Sequence, residues 1–253
     1  VTRRGLLGAA ATGALSLAAC ATPASNTLAP AAPAYDGAVE FGHGVASGDP
    51  LPTKVILWTR VTPTTGSGPI PVRYDVYGES DGATPLLSGL VTADASHDYC
   101  VKVDVKGLSP ATAYLYRFTA LTSAGEVASP DGRTRTTAAS GNAPVKLGVA
   151  SCANWQFGQF NAYKALAAEP DLDAIVFLGD YLYEYGIDGY GAETAQALGR
   201  LHDPITEIVT LGDYRMRHAQ YKSDPDLQAA HAAAPWICTW DDHESANDSY
   251  RTG

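Results

Sequence analysis

Three short stretches carry side chains that could bind metal and move a proton. "GVASC" ends at Cys152, "FLGDYLYEYG" presents Asp180 and Tyr183, and "TWDDHESAND" presents Asp241, Asp242, His243 and Asn247. Thiolate and phenolate are strongly basic anionic ligands that suit a trivalent transition ion. Carboxylate, amide and water suit a hard divalent ion. Together they suggest a mixed site with two or more metals. Such a site can cradle a phosphate oxygen, lower the pKa of a bound water and neutralise a leaving oxygen. A histidine beside it can protonate the leaving group. Taken singly, each stretch has a plainer reading. Cys152 could be packing, Gly179-Asp180 a turn or helix cap, and the Asp-Asp-His-Glu run a solvated loop.

The plainer readings weaken once the carrier elements are drawn. Residues 145–152, 173–180 and 235–244 each carry a short, largely apolar run before their polar ends, the pattern of a strand buried on both faces. "QFNAYKALAAEP" lies between the first two and reads as a helix, with Phe160, Tyr163, Leu166 and Ala167 on one face and Pro170 as its stop. Further helix is expected in "LGDYRMRHAQYKSDPDLQAAHAAA". Strand–helix–strand order implies a parallel sheet with helices on its faces. All its strands then open on one edge, where ligands bind. Several carboxylates brought together there repel one another unless a cation compensates.

Upstream, residues 37–140 are β-rich. In "PVRYDVYGES", Val72, Tyr74 and Val76 alternate with Arg73, Asp75 and Tyr77; "YCVKVDVKGL" alternates in the same way, and Gly/Pro/Ser turns separate the runs. This spacing suggests a sandwich. "GLSPATAYLYRF" resembles the corner of fibronectin type III-like domains, in which a tyrosine caps a turn. A Pro/Ala-rich stretch at 21–36 reads as a tether. Before it, residues 1–20 read as an export signal: Arg3-Arg4 suggest the twin-arginine route, and "LAAC" suggests lipidation at Cys20. The expected location is therefore periplasmic or at the cell envelope, with membrane contact only through the lipid.

Composition limits the alternatives. The chain has 253 residues, a net charge of −10 and four scattered cysteines. That disfavours a general nucleic-acid binder, a disulfide scaffold and a CxxC zinc site. A small phosphorylated substrate stays open, because a bound cation reverses the local field.

"FGHGVASGDPLPTKVILWTRVTP", "GVASCANWQFGQFNAYKALA", "DAIVFLGDYLYEYG" and "PWICTWDDHESANDSY" resemble successive blocks of PhoD-type alkaline phosphatases, a branch of the calcineurin-like metallophosphoesterases. The resemblance implies an α+β chain: a fibronectin/Ig-like β-sandwich over 37–140, then the first half of a metallophosphatase α/β sandwich over 145–253. It implies an iron and calcium site, Fe³⁺ with Ca²⁺, with Cys152, Asp180, Tyr183, Asp242 and Asn247 as ligands and His243 as the catalytic imidazole. Asp241 is a weaker candidate. Tyr181, Glu184 and Tyr185 are expected to line or support the site. Arg215 and Arg217 are expected on a solvated helix face, and the other histidines away from metal. The chain stops at "YRTG", where the family continues. The expectation is thus a truncated catalytic domain with an exposed apolar sheet edge and little activity alone. Phosphate monoesters or diesters are the implied substrates. Two other readings stay open: a surface lipoprotein acting as a non-catalytic binding module, and a calcium-dependent nuclease or phospholipase on the same scaffold.

Overall fold

The computed structural model describes residues 33–141 and 144–250. The expected leader, with Arg3, Arg4 and Cys20, and the tether as far as residue 32 lie outside the described residues. The strands are β1 (Val39–Glu40), β2 (Val45–Leu51), β3 (Lys54–Arg60), β4 (Thr62–Pro63), β5 (Ile70–Gly78), β6 (Asp81–Ala93), β7 (Cys100–Lys106), β8 (Ala113–Thr122), β9 (Gly125–Ala128), β10 (Gly132–Arg135), β11 (Leu147–Ala150), β12 (Ala174–Phe177) and β13 (Trp236–Cys238). The α-helices are α1 (Asn161–Ala168), α2 (Ala192–Leu198), α3 (Leu211–Lys222) and α4 (Pro225–Ala233).

The first part is an antiparallel β-sandwich. One sheet runs β10-β8-β5-β6, with β9 also on β8. The alternation of β7, and of β8 as far as Phe118, aims Val101, Val103, Val105, Tyr116 and Phe118 into a shared core with Leu57, Val72 and Val76. The corner tyrosine is Tyr114, whose hydroxyl accepts the Ser109 N–H at 2.8 Å.

The second sheet has six strands in the order β11-β12-β13-β2-β3-β7. Its first three are parallel and in register, with Val149 beside Val176 and Val176 beside Ile237. The sandwich and the parallel sheet therefore share one sheet, joined where Trp236 of β13 pairs with Gly48 of β2. The far side of β13 is consequently not an open edge; β11 lies at the end of the sheet.

Helices α1 and α4 cover one face. Phe160, Tyr163, Ile175, Phe177, Leu227 and Trp236 pack there in a second core. The expectation of helices on both faces is not met among the described residues. Leu147, Val149 and Ile237, which share the opposite face by register, are 49%, 61% and 43% exposed.

Candidate metal centre

The loops after β11, β12 and β13 meet at one end of the parallel sheet, and hydrogen bonds fix how. The N–H groups of Cys152 and Ala153 donate to the carbonyls of Gly179 and Asp180 at 3.1 and 2.9 Å. Gly179 sits at φ +102°, and a Cβ there would lie 2.5 Å from that of Asp241, so only glycine lets these two loops approach. Cys152 and Asp180 also take the left-handed conformation, at φ 57° and 56°. A side chain makes that region costly, and such strain is commonly kept where a side chain must be aimed.

The aim is at one point. Asp180, 6% exposed, accepts on Oδ2 from the Cys152 thiol at 3.5 Å and from the Tyr183 hydroxyl at 3.4 Å. Its Oδ1 takes the His243 main-chain N–H at 3.3 Å. Ligand atoms of Asp180, Asp242 and His243 lie within 4.8 Å of one another, close enough to share a cation. Burial, together with the neighbouring Asp180 and Cys152, pushes the Tyr183 phenol up. A phenolate therefore forms only where a cation offsets those charges. Hydrogen bonds at the Asp242 carboxylate, the Asp248 N–H first among them, hold it below the usual carboxylate range. Thiol, phenol, carboxylates and imidazole on rigid, strained loops form a donor set that fits a metal.

Two glutamates hold this arrangement. Glu184 is 2% exposed; its Oε2 lies 2.9 Å from His243 Nδ1 and its Oε1 accepts the Asn247 N–H at 2.7 Å. With Nδ1 engaged, Nε2 is the imidazole nitrogen left for a ligand or substrate. Glu244 accepts the N–H groups of Asp180 (3.0 Å), Tyr181 (2.5 Å) and Asp241 (2.7 Å), tying the β12 loop to the β13 loop. The sequence marks Glu184 only as a supporting residue and gives Glu244 no role beyond membership of the acidic run. Its one local signal is the capping pattern from Asp241 to Glu244.

Other expected residues fall elsewhere. The Asn247 amide donates to Asp248 Oδ2 at 3.0 Å, and Asp241 Oδ1 accepts the Asp242 N–H at 3.0 Å. Arg217 is not on a solvated face: it is fully buried and donates to the carbonyls of Asp203, Tyr183, Pro204 and Thr206. Arg215 donates to the Ser96 carbonyl at 2.6 Å. His202 and His231 are buried in the core, and Cys100, Cys152 and Cys238 are free thiols.

A sheet whose strand ends gather such donors defines an α/β unit with a candidate metal site, built onto a β-sandwich. Comparison with known proteins narrows the class. The profile of the PhoD-like phosphatase family matches residues 147–253, and that of the N-terminal domain of PhoD-like phosphatases matches residues 27–138. The chain belongs to the PhoD-like phosphatase family. It is 43% identical over 216 residues to alkaline phosphatase D of Bacillus subtilis (strain 168), covering 82% of this chain and 36% of that protein's length. A solved structure of PhoD superposes with a TM-score of 0.75 at 41% identity, covering 87% of this chain and 41% of that one.

Proposed function

We propose that this chain is part of an exported phosphoester hydrolase of the alkaline phosphatase D type, acting on phosphate monoesters or diesters outside the cytoplasm. One observation carries the reading: Cys152, Asp180, Tyr183, Asp242 and His243 converge at three neighbouring strand ends. Ferric iron with calcium suits the donors. Cys152, Asp180 and Tyr183 would hold the iron, and Asp242 would serve the second ion. When bound, the ions supply the Lewis acidity that polarises the phosphoryl group and favours attack by water.

The chain's own groups do the rest. Glu184 fixes the imidazole of His243 so that Nε2 faces the ester. His243 then gives its proton to the departing alkoxide, which no longer leaves as a bare anion. Glu244 keeps the Asp180 and Asp241 loops at a fixed separation, so the donors are already in place. Export through the twin-arginine route, which carries folded proteins, suits a metalloprotein. Cys20 would then carry the lipid anchor.

The test is metal binding. The 253-residue chain, given ferric iron and calcium, should bind iron and show a visible charge-transfer band from phenolate and thiolate. Tyr183→Phe should weaken the band, and the double variant Cys152→Ala, Asp180→Asn should lose iron while keeping its far-UV circular dichroism. Iron retained in full by the double variant would overturn the reading and favour a non-catalytic binding module.

A further inference from the structure

A cleft of about 430 Å³ opens beside the metal centre, with Cys152 and Tyr183 among its walls. That volume falls within the roughly 300–1,000 Å³ of small-molecule sites. No residue lining it is Lys, Arg, Asp, Glu or His. Its outer wall is instead aromatic. Phe157 and Tyr190 lie 4.6 Å apart between centroids and 61° between planes, packed edge to face. They are 46% and 60% exposed.

This pair continues to the candidate proton donor. Tyr190 meets Tyr185 at 6.2 Å, Tyr185 meets His243 at 5.5 Å, and His243 meets Tyr183 at 4.2 Å. The wall is built rather than accidental. The Tyr190 carbonyl accepts from the fully buried Gln156 amide at 3.2 Å and from Asn154 at 3.5 Å. Glycines flank Tyr190: a Cβ at Gly189 would lie 2.7 Å from that of Tyr185, and one at Gly191, 3.1 Å from the Phe157 ring.

We infer that this ladder seats the leaving group, and that the site prefers phosphate esters whose alcohol carries a planar ring, an aryl or nucleobase group. The inference rests on the phosphoester reading above. The ester must place its departing oxygen at His243, and the chain of rings leads from that point to the exposed Phe157–Tyr190 pair. Ring faces without fixed charge recognise a flat apolar surface and give little to a polyol.

The experiment compares four probes on the 253-residue chain loaded with ferric iron and calcium: inorganic phosphate, glycerol 2-phosphate, phenyl phosphate and adenosine 5′-phosphate. Dissociation constants from calorimetry should show the two ring compounds binding roughly fivefold to tenfold tighter than glycerol 2-phosphate. Tyr190→Ala and Phe157→Ala should erase that margin and leave inorganic phosphate unchanged. Tyr190→Leu, which keeps bulk without a flat face, should act like the alanine variant. If phosphate binds but the ring adds nothing, or the margin survives in the Phe157→Ala, Tyr190→Ala double variant, the aromatic subsite is wrong and the phosphoester reading stands. If inorganic phosphate does not bind the loaded chain, the phosphoester reading falls and takes this inference with it.

Discussion

Glu244→Gln tests whether the metal loops are held by a carboxylate or merely packed. In the native chain Oε2 accepts the N–H groups of Asp180 and Asp241, and Oε1 accepts that of Tyr181. Glutamine keeps the shape but has one acceptor oxygen. Placed at Oε2, that oxygen retains two bonds, and the new NH₂ faces the Tyr181 N–H, donor against donor. The lost charge-assisted bond is worth about 1.5–3 kcal/mol, and each retained bond weakens by about 1 kcal/mol on becoming neutral. Glu244 is only partly buried, so solvent screening cuts the total to about 2–3 kcal/mol. Part of it should appear as lower stability to urea. The rest should appear as looser metal ligands, with iron affinity reduced about tenfold or more. The assay is iron titration followed by the visible charge-transfer band, alongside urea unfolding by circular dichroism. If Glu244→Gln binds iron as the parent does and unfolds within about 0.5 kcal/mol of it, the carboxylate clamp is not what orders the site.

Two further outcomes follow from buried groups around the centre. Arg217→Met leaves several buried carbonyls dry while removing the desolvation cost of the guanidinium; a net loss of about 3 kcal/mol should shift the urea midpoint. His202 is 1% exposed, and burial, with Arg217 nearby, lowers its pKa from 6.5 to about 3. The folded state therefore binds this proton less readily than the unfolded chain. Its stabilising effect is complete above pH 6.5, falls as pH drops toward 3, and is down by about 2 kcal/mol at pH 5. Urea unfolding at pH 7 and pH 5 should show this loss, and His202→Gln should show a smaller one; an equal loss in both proteins would refute the assignment.

The three strand ends were legible because an apolar run that stops at Cys152, at Gly179-Asp180 or at Asp241-Asp242-His243 is a local signal, and parallel pairing makes the ends coincide. The alternation of β7, and of β8 as far as Phe118, was equally local, whereas β5 buries Asp75 more fully than Tyr74. Strand β2 was not: "VASGDPL" has the composition of a turn and becomes a strand only because β3 and β13 flank it. Arg217 was hidden for a similar reason. Nothing within α3 shows that a loop will fold over the helix and offer it the carbonyls of Asp203, Pro204 and Thr206. Glu184 and Glu244 have main-chain and imidazole partners 59 to 64 residues away or across a three-residue turn, and sequence spacing does not reveal them.

The shared sheet also bears on whether the β-sandwich is a separate binding module. Gly48 of β2 pairs with Trp236, and β13 then runs into the loop that carries Asp241, Asp242 and His243. On the helical side, the Lys222 ammonium sits 4.6 Å over the Trp58 ring of β3 and donates to the Tyr181 hydroxyl at 3.1 Å, one residue from Asp180. Arg135 pairs with Asp173 at 3.1 Å, at the foot of β12. A domain kept only for outside partners would need few such ties. Here its strands extend the sheet that aims the candidate donors, and Trp58 of β3 packs against the lysine that holds the loop after β12. The physical consequence is that the sandwich acts as a supporting wall for the strand ends that gather the candidate donors.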